Sequence, residues 1–388
     1  MAALNAWQKI TRVVTGKPFG AGSDGAYSSA TIPAMTVKSS SGASGQKNLT
    51  IAAGAFTNGD ILLVHQSRGT GVGQWEVNKV ASGGGTTTLV MTENLNYTYT
   101  DSGASQAQVL KIFQYTDVTV QSGTWAVTGW DGNINGILAF AANGTVTVTG
   151  SVNSNGDGFV LGAGVEAATG YQGEGTSGTG TQATAANGSG GGGGTSSEGG
   201  GQCSNGGGGG GNGAAGTSGV VSGGGGTAGV GGGTSGAADL TTLTLGGGGG
   251  GGGRGPGVSG NAGDGGDGGG AVFIFANVIT VDGSIYTNGA AGGDGTDEGS
   301  GGGGGGGGSV LIQAKTATLG TNKITASAGG GGGSGFNGGD GGAGGAGRIA
   351  IHYGSSTSGT TNPTITETED STLVEASEGG GSFLLNFV

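Results

Sequence analysis

Glycine fills 107 of 388 positions, much of it in unbroken tracts at 190–194, 206–211, 223–226, 246–253, 301–308 and 329–333. A glycine tract has no side chain to bury and loses more backbone entropy on ordering than any other sequence. It therefore either remains a flexible linker or pairs its backbone with neighbours. Spacing favours pairing: glycine recurs every third residue at Gly335, Gly338, Gly341, Gly344 and Gly347, and again at Gly260, Gly263, Gly266 and Gly269. A left-handed helix of three residues per turn, rising about 3.1 Å per residue, places such glycines along one bare edge. Polyglycine II helices have no internal hydrogen bonds, so when packed their N–H and C=O groups must bond sideways. With only four prolines, the chain is not collagen.

Outside the tracts, a hydrophobic fraction of 32% with 5% aromatics leaves too little apolar matter for one large core and predicts thin, repetitive packing. The formal charge of −12 disfavours nucleic acid and anionic lipid as partners. Cys203 is the single cysteine, so no intrachain disulfide is available, and it is expected to pack inside a glycine layer. The first residues, Met1 to Ile10, lack a basic segment followed by an apolar one, and no apolar run reaches membrane length. No Sec signal peptide and no membrane insertion are expected.

Up to about residue 130 the chain reads as compact β structure. The runs Asp60–His65, Trp75–Val80, Thr88–Met91, Leu95–Tyr99 and Gln108–Phe113 are rich in β-branched and aromatic residues, with Gly/Ser/Thr/Asn turns between them. That pattern suits a small barrel or an antiparallel meander, a module for attachment or assembly. Trp7, Ile10 and Val14 match a helical face, while Ile10–Val14 would also serve as a strand, and both readings stay open.

From Gly136 a repeat emerges. Gly136-Ile-Leu-Ala-Phe-Ala-Ala-Asn143 followed by Thr145–Gly156 matches Gly270-Ala-Val-Phe-Ile-Phe-Ala-Asn277 followed by Ile279–Gly289, with one residue of difference in spacing. A degenerate copy spans Gly308–Gly329, and Gly347-Arg-Ile-Ala-Ile-His-Tyr353 opens a fourth. No single copy can bury its own apolar face, so the copies must stack. The expected fold is all-β: a module over 1–130, a β-solenoid-like repeat region with packed polyglycine II helices over 131–353, and a segment over 354–388 ending in an apolar strand.

The residues Gly59-Asp-Ile-Leu-Leu-Val-His-Gln66, Gly73-Gln-Trp-Glu76, Tyr115–Val120, Gly136–Phe140 and Gly347–Tyr353 resemble the module and repeat strands of glycine-rich bacterial surface proteins and phage-encoded fibre proteins. The glycine tracts resemble those of the receptor-recognising tip adhesins of T-even-like phages. That resemblance implies a sandwich of polyglycine II helices displaying specificity loops at its end.

Catalytic chemistry has little to stand on. His65 and His352 are the only histidines, and each lies in an apolar strand pattern that reads as strand surface or pocket. The carboxylates Asp157, Glu166, Glu174 and Glu198 carry no diagnostic spacing. Asp264, Asp267, Asp294, Asp297, Glu298 and Asp340 sit among glycines and could offer oxygen ligands to Ca²⁺. They do not meet the calcium nonapeptide pattern, and solvation is the simpler expectation, with no cofactor.

What remains is surface. Phe159, Tyr171 and Phe336 stand in Gly/Ser/Thr loops with few sequence neighbours to bury them, as receptor-contacting residues would. Ile10, Val13 and Val14, with Phe383, Leu384, Leu385 and Phe387, form apolar terminal segments suited to assembly. The expected function is non-enzymatic and adhesive, in an extracellular or virion setting. The partners would be a cell-surface glycan or protein receptor and other fibre subunits or self. The alternative is a self-assembling extracellular filament joined by terminal strand exchange.

Overall fold

The computed structural model describes residues 19–197, 203–223, 225–257 and 259–374. The terminal assembly residues Ile10, Val13, Val14, Phe383, Leu384, Leu385 and Phe387 lie outside them, as does Glu198. The fold is all-β, with a closed barrel, a curled parallel sheet and glycine segments that connect its strands.

Six antiparallel strands close the barrel in the order Val37–Ser41, Asn48–Ile51, Thr88–Met91, Trp75–Ser82, Ile61–Arg68 and Gln106–Lys111. Leu95–Tyr99 adds no strand; Tyr99 makes a single bridge to Gly42 and is buried. Every residue of Ile61–Arg68 is buried. Alternation explains it: Leu62 and Val64 fill the barrel with Leu49, Leu89 and Val109, while Ile61 and Leu63 point outward onto the sheet.

The strand repeats stack in parallel as Ile137–Val148, Ala271–Val281, Ser309–Thr325 and Arg348–Asn362. Their register is the repeat alignment itself, with Ile137 opposite Ala271, Ala271 opposite Ser309, and Ser309 opposite Arg348. The spacing mismatch between the first two copies is absorbed by a β-bulge between Ala142 and Thr145. Short strands Thr124–Ala126, Ser151–Asn153 and Ser284–Tyr286 continue the sheet around a bend onto the second half of Ser309–Thr325. Tyr27–Ser29 and Val118–Val120 join it too, so the sheet takes strands from both sides of residue 130, and Arg348–Asn362 runs across residue 353. One face of the curl buries Val146, Val148, Ile279, Val281, Ala317 and Leu319. The first halves of the long strands bury their other face against the barrel, where Trp75 meets Phe273 edge-on at 5.0 Å between ring centroids.

Successive parallel strands need a long return path, normally a helix. Here the returns are glycine segments, and they bond sideways with a three-residue period. Gly207 and Gly210 donate to Gly301 and Gly304; Gly208 and Gly211 to Gly192 and Ser189; Gly206 and Gly209 to Val220 and Thr217, all at 2.7–3.1 Å. Gly303 and Gly306 likewise donate to Gly250 and Gly247, whereas Gly304 and Gly307 donate to Gly342 and Gly345. Consecutive N–H groups of these segments thus reach three different neighbours, and every third one returns to the same neighbour. At most tract positions packing leaves no room for a side chain: a Cβ on Gly249 would stand 2.0 Å from the Gly303 oxygen, and one on Gly304 would stand 2.2 Å from the Gly329 oxygen.

Candidate functional site

The glycine bundle has two unlike ends. Gly136, Gly270, Gly308 and Gly347 stack where the chain passes into the parallel strands, and this end is anchored. Between two tracts the loop Ser235–Leu245 inserts Leu240, Leu243 and Leu245, all fully buried, between barrel and sheet. Burying each leucine contributes about 2 kcal/mol. Four side chains clamp its carbonyls. His65 Nε2 donates to Leu243 O at 2.9 Å and Trp75 Nε1 to Leu240 O at 3.0 Å; from the sheet, His352 Nε2 donates to Asp239 O and Arg348 Nε to Ser235 O, both at 2.9 Å. Asp239-Leu-Thr-Thr-Leu-Thr-Leu245 is a dense apolar run between glycine tracts, and that is the signal by which the anchor could have been found.

His65 is therefore a buried barrel residue and not strand surface, because its strand is covered on both faces. Its Nδ1 accepts from Ser67 Oγ at 2.8 Å, and Ser67 in turn accepts from Gln108 Nε2 at 2.8 Å. This looks like a nucleophile and its base, but all three side chains are 0% exposed and the imidazole is committed to Leu243. Burial holds the His65 pKa down to about 4, so the ring is neutral. A second buried tie crosses the same junction: Arg68 pairs with Glu174, whose carboxylate also accepts from Trp130 Nε1 at 2.9 Å.

The opposite end carries loops. The described residues at 164–170, 195–197, 203–205, 222–223, 225–227, 253–257, 259–263, 294–300 and 334–338 lie there, and several of them touch one another. Val165 pairs with Gly253, Ser204 with Gly338, Thr296 N–H donates to Asn261 O, and Glu298 N–H donates to Ser259 O. Carboxylates stitch this end by accepting backbone N–H groups: Asp264 from Gly164, Asp294 from Gly333, and Asp340 from Ser334, each at 2.7 Å. Bonds from Ser334 hold the Asp340 pKa below the ordinary carboxylate range. Glu166 pairs with Arg254 at 2.7 Å. Nearer the sheet, Asp267 accepts from Leu161 N–H at 2.8 Å, and burial raises its pKa. Burial also pushes Asp157 up to about 6, with the Asp267 charge adding to the effect. Among the described residues no group of three or more His, Cys, Asp or Glu side chains could hold a metal ion.

The three aromatic candidates separate. Phe336, in the 334–338 turn, is 77% exposed, and Tyr171, beside the 164–170 turn, is 41% exposed. Phe159 is fully buried, edge-on to Trp130 at 5.9 Å, so the expectation that it contacts a receptor is corrected. It fills the junction where the first glycine segment leaves the sheet, among apolar residues its own flanking sequence does not contain. Val220 and Val221, missed in the sequence, are half exposed on a segment bonded to the one that bears Phe336, through Val220 N–H to Asp340 O at 2.8 Å.

No helix among the described residues is long and apolar enough to cross a membrane. Comparison with protein-family models, with curated proteins and with solved structures finds no match to this chain.

Proposed function

We propose that this chain is a non-enzymatic adhesive protein of a virion fibre or cell surface. The barrel and sheet serve as its base and the glycine bundle as a rigid stem; the far-end loops bind a cell-surface glycan or protein receptor. In this reading each strand with its glycine return is one coil of a solenoid-like repeat. One observation carries it: among the described residues, loop segments gather at the end of the bundle away from the barrel, on glycine stretches whose N–H groups are bonded laterally. Loops on a rigid scaffold are where binding residues concentrate, because the scaffold has already met the ordering cost. Phe336 and Tyr171 supply exposed aromatic surface there, the residue class enriched at binding hot spots.

The test is retention of the fluorescently labelled chain on a glycan array and on a panel of bacterial cells. A Tyr171→Ser/Phe336→Ser double variant should lose at least tenfold in apparent affinity with an unchanged melting temperature. Full retention of binding by that variant, or binding abolished only by changes in the barrel, overturns the assignment.

A further inference from the structure

Beyond the bulges at Ala142/Thr145 and Ala314/Thr316, the long parallel strands leave the barrel behind and turn their outer face to solvent. Two columns of side chains run across that face, perpendicular to the strands. The first is Ser28, Thr119, Thr147, Thr280, Thr318 and Ser358, each directly opposite the next in the parallel register. The second, two residues earlier along each strand, is Thr145, Val278, Thr316 and Ser356. The residues between the columns, among them Val118, Val146, Ile279 and Ala317, point into the core and hold the face in place.

All ten column positions are partly or fully exposed, and nine bear a hydroxyl. Ser28 accepts from Gln121 Nε2 at 3.0 Å; the other hydroxyls have no protein partner among the described residues. Parallel strands repeat every 4.7–4.9 Å and alternate residues on a strand repeat every ~6.6 Å, so hydroxyls and methyls form a two-dimensional grid about 24 Å long. The chain carries a net charge of −12, yet neither column contains a charged residue; the exposed Asp117 borders the second one beside Thr145, whose N–H it accepts at 2.7 Å. An uncharged grid complements an uncharged periodic surface and has no attraction for a basic protein. Neither column contains an aromatic ring for stacking or an amide for bidentate bonding, the groups that single out sugar rings.

From this we propose that the threonine face binds ice: its two repeats are close to those of oxygen atoms on a prism face, and its fixed hydroxyls order water in that lattice while the methyls exclude it. The proposal is independent of the far-end loops.

The experiment measures thermal hysteresis, ice-crystal shape and inhibition of recrystallisation with the full chain. Micromolar protein should facet growing crystals and arrest recrystallisation. Thr147→Lys/Thr280→Lys, which places two charges mid-grid on exposed positions, should lower the activity at least tenfold while melting as the parent does. Tyr171→Ser/Phe336→Ser should retain it. Absence of hysteresis and of recrystallisation inhibition in the parent overturns the proposal, as does full activity in the lysine variant. So does hydroxyl-dependent binding of crystalline cellulose or chitin without any effect on ice. If the double variant misfolds, single Thr280→Tyr gives the same reading, because a bulky ring mid-grid holds the neighbouring hydroxyls off the surface they would contact.

Discussion

The imidazole Nε2 of His65, on the outer face of the barrel wall, lies 2.9 Å from the carbonyl oxygen of Leu243, in the loop that returns the chain to its central glycine tract. Barrel and glycine bundle are thus tied through a neutral ring that cannot gain a proton without losing burial energy. Its pKa is about 4 in the fold against 6.5 when exposed. The unfolded chain therefore takes up the proton first, and this stability is present above pH 6.5 and lost as pH falls toward 4. The full loss is about 3 kcal/mol. Urea midpoints of the parent should fall across this window, and His65→Gln should flatten the slope; an identical slope in the variant refutes the account.

Asp157 works in the opposite direction. Its folded pKa, raised to about 6, exceeds the ordinary 3.8, so the fold holds the proton more tightly than the unfolded chain does. This carboxyl penalises the fold above pH 6, and the penalty disappears as pH falls toward 4. Partial exposure screens it, leaving about 1 kcal/mol. Asp157→Asn should raise the melting temperature at pH 8 and change it little at pH 4. A variant less stable than the parent at pH 8 counts against burial as the cause.

Two nearby glycine positions separate close packing from mere composition. A Cβ on Gly304 would meet the Gly329 oxygen at 2.2 Å, whereas one on Gly330 would meet nothing within 4 Å. Gly304→Ala should cost at least 3 kcal/mol or prevent folding, because backbone must move and lateral bonds break. Gly330→Ala should be neutral to slightly stabilising, since it restricts the unfolded chain. Equal melting temperatures for the two would be incompatible with a packed bundle.

The N–H groups of 246–253 and 301–308 are bonded to neighbouring segments and their residues are buried. Their amides should exchange slowly, opening only with larger units of the fold. Exchange at random-coil rates would show that the lateral lattice does not persist in solution.

Arg68 and Glu174 place two charges in the junction between barrel and bundle. Removing one leaves the other buried without its partner, at a cost of about 3–5 kcal/mol. Chemical denaturation of Glu174→Gln and Arg68→Met should each show that loss. The double variant should recover part of it, and strict additivity of the two would indicate that the charges are not coupled.

The strand register was legible because stacking copies must bring like residues together: aligning Gly136 with Gly270 already puts Ile137 beside Ala271. Lateral pairing of glycine was legible too, since a buried tract has no other partner for its N–H groups. Phe159 was misread because the residues that bury it, Trp130 and the apolar side chains around it, come from segments distant in sequence. Whether His65 sits at the strand surface or in a pocket stays open in the sequence for the same reason, as local alternation cannot tell a strand covered on one face from one covered on both. By itself the sequence determined the β repeats, their alignment and the three-residue glycine period, all consequences of local spacing. Only the tertiary structure decided which end of the bundle is anchored and which carries loops, and which outer face stays open as a hydroxyl grid. Those outcomes depend on where Leu240, Leu243 and Leu245 dock and where the bulges turn each strand away from the barrel, and both are set by contacts between residues far apart in the chain.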